Sequence, residues 1–333
     1  MKELYFALMS INLQLFANTP NTNVTTDSGL SVENKTYYDM TLIDEAQANL
    51  VHDQFAQKRP IPKNGGKKIE FRKFASLPKA LTPLTEGVTP DGKKLSVTKI
   101  EAEVAQYGDY IVQSDVLELT SIDNTIVEAT KILGRQAGLT LDTITRNIMQ
   151  SGTNVYYCPK ADGTAVTSRA NLDDTCKLTV DVVNRVVAMM KKNNAPKING
   201  DYVAIIHPLV AYDLMSDERW IESHKYAQPE NLYNGELGKI GGVRFIESSE
   251  AKVYDGGVFG CLFLADGAYG VTEITGGGLE TIIKQKGSAG TADPLDQRSS
   301  IGWKAIKTAE ILVEPYMVRV ECKSALSDKA EVN

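Results

Sequence analysis

The sequence is short of the residues that most often carry chemistry. Only three of its 333 residues are histidine: His52, His207 and His224. The four cysteines, Cys158, Cys176, Cys261 and Cys322, are widely scattered. No CxxC pair occurs, which leaves out a thiolate zinc site and a dense disulfide framework. Four free, buried thiols in a cytoplasmically made protein are expected. There is no HExxH, no GxSxG elbow and no Cys–His signature. His207 follows an apolar run, but an N-terminal turn or packing role suits it better than catalysis. The pairs Asp173–Asp174 and Asp293/Asp296 lack a calcium-loop pattern and read as solvated loops. Neither a metal nor a cofactor is expected.

Long apolar runs are missing too. The most apolar stretch, residues 4–16 (LYFALMSINLQLF), offers about 13 residues against the roughly 20 needed to cross a bilayer. It also makes a poor signal peptide, since Glu3 cancels Lys2 and Ser10, Asn12 and Gln14 interrupt the apolar core. A basic surplus is absent: the net charge is −6, which argues against a general nucleic-acid binder. Locally the balance reverses. Residues 61–100 hold nine Lys or Arg against three Asp or Glu. Only Phe71 and Phe74 could stack on bases there, so docking on an acidic neighbour is the expectation.

What is present mixes helical and strand patterns without regular alternation, which predicts an α+β fold. Residues 18–38 are rich in Asn, Thr and Ser and too polar to bury themselves. Periodicity predicts a helix over 39–57, with Leu42, Ile43, Ala46, Leu50 and Phe55 on one face. Residues 67–112 read as two strands around a turn-rich tip at 80–92 (ALTPLTEGVTPDG). The apolar alternation changes phase near Thr98–Lys99, predicting a bulge or a change of environment. Ile126, Ala129, Leu133, Ala137, Leu141, Ile144 and Ile148 predict a helix over 122–150, capped by Asp123. A second helix is expected at 179–193, a buried strand at 202–206 and a short helix after Pro208. Strands follow at 243–247, 257–265, 301–306 and 311–321, with Pro315 at an edge or bulge.

Residues 233–251 read YNGELGKIGGVRFIESSEA, with Gly235, Gly238, Gly241 and Gly242 around Lys239. A dinucleotide or P-loop site needs its glycines ahead of a helix, and a P-loop lysine is followed by Ser or Thr. Here a strand follows, and Ile240 comes after Lys239, so a tight turn is the better reading. Gly276–Gly278, ahead of LETIIKQ, matches no phosphate motif and also reads as a loop.

A two-stranded hairpin is marginal alone in water, and the polar N-terminal stretch cannot bury itself. Both features make sense on neighbouring copies of the chain, which predicts self-assembly.

The segment at 233–251 resembles a signature of tailed-bacteriophage major capsid proteins. Residues 204–214 (AIIHPLVAYDL) and 217–220 (DERW) resemble its companion pieces, and residues 11–17 (INLQLFA) resemble the start of many such proteins, with Met9 an alternative start. The resemblance implies a Hong Kong 97-type fold. Its parts would be an N-terminal arm (1–62), an extended hairpin loop (63–112), a peripheral domain with a spine helix (113–155), an axial domain (156–294) and C-terminal strands returning to the peripheral domain (295–333). It implies a non-enzymatic subunit of an icosahedral head, made in the host bacterial cytoplasm. Its partners would be copies of itself in hexamers and pentamers, with portal and scaffold or decoration proteins. Double-stranded DNA would be enclosed without sequence-specific binding, and no membrane would be involved. Pro83, Glu86, Pro90, Asp91, Lys93 and Lys94 become candidate assembly residues at the hairpin tip. Two alternatives stay open: an encapsulin-like nanocompartment shell, and a soluble enzyme using His207 with the Gly235–Gly242 loop.

Overall fold

The computed structural model describes residues 42, 51–74, 77–84, 86–89, 91–120, 125–227, 237–275, 277–288 and 293–333. Most of the helix expected at 39–57 lies outside them, as do Asp123, Pro90 and Gly235. Leu42 is helical and buried, but Phe55 falls in a run of turns rather than on a helix.

The chain builds two sheets and a separate hairpin. In the hairpin, β2 (Lys68–Phe74) pairs antiparallel with β3 (Val97–Glu103). Pairing ends there. The next strand, β4 (Ala105–Ser114), leaves the hairpin and pairs along ten residues with β13 (Arg298–Ile311). The paired ladder of the hairpin therefore covers Lys68–Phe74 and Val97–Glu103, and 105–114 belongs to a sheet.

On its other edge β13 holds two strands end to end. They are β11 (Tyr269–Glu273) and β12 (Glu280–Lys284). The short β1 (Gln57–Lys58) runs parallel to β11, so the last of the expected arm is woven into this five-stranded sheet. LETIIKQ is thus a strand, which removes the helix that a phosphate site at Gly276–Gly278 would need.

Two helices follow β4. The first, α1 (Asp115–Thr120), has no buried residue. The second, α2 (Thr125–Gln150), buries Ala129, Leu133, Ala137 and Leu141 against Ile301, Trp303 and Ala305 of β13. Its 26 residues span about 39 Å at 1.5 Å each. Gly134 and Gly138 lie among its buried positions.

The second sheet runs β5 (Val155–Tyr157), β14 (Met317–Cys322), β10 (Val258–Leu264), β6 (Tyr202–Ile206), β8 (Val243–Glu247) and β7 (Lys239–Ile240), with β9 (Val253–Tyr254) paired to β10. All residues of β6 and β10 are buried because both faces are covered. Tyr202, Ala204 and Ile206 meet the valines of α3 (Val180–Lys192), while Val203 and Ile205 meet Met149 at the end of α2. Thr179 caps α3 as expected.

Sheet membership does not follow chain order. Strands β11 and β12 join β4 and β13 in the first sheet. Strand β14 lies inside the second sheet. The single strand predicted over 311–321 is broken by a 3-10 turn, Glu314–Tyr316, which carries Pro315 at the corner between sheets. Asp293 is also not a solvated loop residue: it is buried and accepts the Arg298 backbone N–H at 2.8 Å.

Buried charges tie these parts together. Asp142 on α2, fully buried, accepts the backbone N–H groups of Val51 and His52 at 2.9 and 2.7 Å, and pairs with His52 Nδ1 at 2.6 Å. Asp53 accepts from Thr145 at 2.6 Å and pairs with Lys307 of β13. Burial depresses the Lys307 pKa, and the Asp53 carboxylate opposes that shift. In the second sheet, buried Glu321 accepts Nε and a terminal nitrogen of Arg169 at 2.7 and 2.6 Å. The Nε of Arg319 lies 3.1 Å from the same carboxylate, out of line for a hydrogen bond. All four cysteines are free and buried, and no described helix is long and apolar enough to cross a membrane.

Glu321→Ala would leave two guanidinium groups, one of them nearly buried, without their carboxylate. Urea unfolding of the subunit should show a loss of about 3 kcal/mol; a loss below about 1 kcal/mol would mean that the pair contributes only as a surface bridge does.

Candidate assembly surfaces

A pair of strands has two faces and no layer of its own to cover either. The root of the hairpin finds cover within the chain. Phe71 is 4% exposed and packs on Gly270 of β11, where an added Cβ would meet its ring at 3.2 Å. Leu312 closes on the same spot, and the Arg59 guanidinium stands 5.8 Å above the ring centre. Ala102 is buried on this side, with Ile100 half-buried.

The other phase of β3 is not covered. Leu95 and Val97 are 69% and 43% exposed. The phase change at Thr98–Lys99 is thus a change of face and not a bulge, because the register runs unbroken from Phe74–Val97 to Lys68–Glu103. Further out, Leu77, Leu81, Leu84 and Val88 are between 53% and 81% exposed. Pro83, Glu86, Asp91, Lys93 and Lys94 stand exposed beside them. Lysines nearer the root find carboxylates, Lys68 with Glu103 and Lys99 with Glu70. Lys79, Lys93 and Lys94 have no acidic partner among the described residues.

The glycine segment folds into a turn. Strand β7 pairs back on β8 with Ile240 opposite Val243, which leaves Gly241 and Gly242 as a two-residue loop. Their φ values are +61° and +81°. This left-handed pair matches the right-handed twist of the flanking strands, and a side chain would strain it. A Cβ on Gly241 would also lie 2.8 Å from Asn184 Oδ1 on α3. Gly238 adopts φ +73° just before β7. Lys239 points to Asp201, with Nζ 3.0 Å from Oδ2.

His207 caps α4 (Pro208–Met215), its Nδ1 accepting the Leu209 N–H at 3.2 Å. Its ring lies 5.0 Å from that of Phe259, and burial pushes its pKa down. It and the glycine turn do not share a site. β6 and β8 run parallel with Tyr202 beside Val243 and Ile206 beside Glu247. His207 follows the last residue of β6, and Gly242 precedes the first residue of β8. Five residues of strand separate them, roughly 16 Å. The enzyme alternative loses its geometry at that point. Among the described residues, no cluster of His, Cys, Asp and Glu could hold a metal ion.

Gly241→Ala should destabilise the subunit by about 1–2 kcal/mol, because the alanine must take a left-handed conformation. His207→Ala should cost about 1 kcal/mol through the lost cap. Both are read from urea midpoints, and a neutral Gly241→Ala would contradict the turn geometry.

Comparison with known proteins gives this arrangement a family. The family model described as phage capsid protein matches residues 97–318, more than half of the chain, from the start of β3 into β14. No curated protein sequence gives a significant match. Among solved structures, the capsid of cyanophage Pam1 is similar at 13% identity and a TM-score of 0.66, over 84% of this chain and 92% of that one. The capsid of cyanophage P-SCSP1u is similar at 14% identity and a TM-score of 0.64, over 81% and 87%. A virus-like particle from Pyrococcus furiosus matches at 11% identity and a TM-score of 0.50, over 86% and 99%. At these identities the likeness is one of fold. The family match and the shared Hong Kong 97-type fold agree, and the chain belongs to the phage capsid protein family as a major capsid protein that forms the phage head.

Proposed function

We propose that this subunit closes its shell by exchanging the β2–β3 hairpin between copies. One observation carries the reading: the hairpin is seated at its root by Phe71 on Gly270, while the apolar side chains of its outer half stay uncovered. Exposed leucines in such number are unfavourable on an isolated protein and favourable at an interface between copies. Pro83, Glu86, Pro90, Asp91, Lys93 and Lys94 are assigned to that interface. The turn at Gly238, Lys239, Gly241 and Gly242, with Gly235 ahead of it, serves the subunit's own second sheet.

In this reading the first sheet with α2 is the peripheral domain and the second sheet with α3 the axial domain. The subunits form hexamers and pentamers in the cytoplasm of the host bacterium, with a portal and with scaffold or decoration proteins as partners. Double-stranded DNA is contained and not read. The net charge of −6 gives the subunit no general attraction for phosphates, and Phe71, one of two aromatic residues in the basic segment, is buried at the hairpin root. The protein is structural and carries no catalytic role.

Removing residues 80–92 should leave a subunit that unfolds cooperatively, with a Tm within a few degrees of the intact chain, because the described residues of that stretch are all exposed. Closed particles should vanish from sedimentation profiles and negative-stain images. Normal particles from the shortened chain would refute the exchange.

A further inference from the structure

We infer that Lys307 and Asp53 join in an amide bond that ties the N-terminal segment covalently to β13. The bond lies within one chain, so it does not depend on the hairpin exchange. Three groups meet at this place. Lys307 Nζ lies against Asp53 Oδ2, and the two side chains are only 7% and 13% exposed. Glu273 stands directly opposite Lys307 in the β11–β13 register. All three line one cavity of about 600 Å³, with Leu141, Leu279 and Ala305 among its apolar walls.

An amine and a carboxyl group held in contact condense when both lose their charge and the reacting atoms stay aligned. The surroundings favour both conditions. Keeping an ion pair out of water is costly, and passing one proton from Nζ to Oδ2 leaves a neutral amine beside a neutral acid. Burial already pulls the Lys307 pKa down. Hydrogen bonds hold both partners in place. Nζ donates to the Leu141 carbonyl at 2.9 Å, and Asp53 Oδ1 accepts the Thr145 hydroxyl at 2.6 Å. That hydroxyl sits where negative charge develops on Oδ1 during attack, as an oxyanion donor does. Asp142 is committed elsewhere, because the backbone N–H groups of Val51 and His52 and the His52 ring occupy its two oxygens.

The step balances without an outside reagent. The Nζ lone pair attacks Cγ and forms the C–N bond, while the C=O electrons move onto Oδ1. The excess proton on nitrogen passes to the Oδ2 hydroxyl, with Glu273 as its carrier. The C–Oδ2 bond then breaks, the C=O bond re-forms, and one water leaves through the cavity. Nothing is oxidised or reduced. The amide keeps one N–H for the Leu141 carbonyl. Each chain reacts once, so the bond is a modification and not an enzymatic activity. Once it has formed, residues 51–61 cannot peel away from β13 at Asp53 without breaking a covalent bond.

The test is the mass of the purified full chain under denaturing conditions. It should be one water lighter than the sequence requires, and proteolysis should release a branched peptide that joins Asp53 to Lys307. The full sequence mass in the folded native chain would overturn the inference. So would a missing water without the branched peptide, since an Asp–Gly step can lose water by itself. Lys307→Met removes the nucleophile and should restore the full mass; a lighter mass in that variant would count against the bond. The native chain decides the question without any variant, so a variant that fails to fold does not shelter the inference. Glu273 is exposed, and Glu273→Gln should slow bond formation by about a hundredfold, read as the fraction of branched peptide with time after refolding. An unchanged rate would overturn the role given to Glu273.

Discussion

Strand β13 is the constraint on which the other parts depend. It pairs with β4 along ten residues on one edge and with β11 and β12 on the other. Its inward side chains Ile301, Trp303 and Ala305 form the floor for α2. The hairpin departs near one of its ends and α1 near the other. A strand hydrogen-bonded on both edges and covered on one face has little freedom to bend. It thus fixes the separation between the root of the hairpin and the start of α1.

The joint between the two sheets is polar as well as apolar. Met149, Leu262, Leu264 and Tyr269 form an apolar cluster there, and Arg146, almost fully buried on α2, donates to the Glu250 carbonyl at 2.6 Å. Burial lowers the Arg146 pKa, and the Glu250 carboxylate counters it. On the opposite side, Asp142 and Asp53 grip the backbone and side chains at His52 and Lys307. Paired charges in a low-dielectric interior are costly to separate, so these contacts hold α2, the N-terminal segment and β13 in one arrangement.

The hairpin shows how one sequence pattern can serve two environments. Its even phase at Ile100 and Ala102 turns toward the chain's own sheet, and its odd phase at Leu95 and Val97 turns outward. The switch in phase was legible in the residues. That it marks a change of face in an unbroken strand was not, because alternation records which side is apolar and not what covers it.

Much of the local structure was determined by the sequence alone. Thr179 at the head of a valine-rich helix, His207-Pro208 opening another, the continuously apolar β6 and the glycine pair before β8 each act within a few residues, where capping, sterics and periodicity decide. The long periodicity of α2 belongs with them. The tertiary structure decided what those pieces meet. β4 was read as the hairpin's return strand, yet it pairs with residues nearly two hundred positions away; 311–321 was read as one strand, yet Pro315 turns it from one sheet into the other. The exposure of Val116, Leu117 and Leu119 on α1 left no mark in a motif, since its leucines and acids look like any short amphipathic helix. Hydrogen-bond partners and burial across such distances follow from how the whole chain packs, and no window of local sequence contains that information.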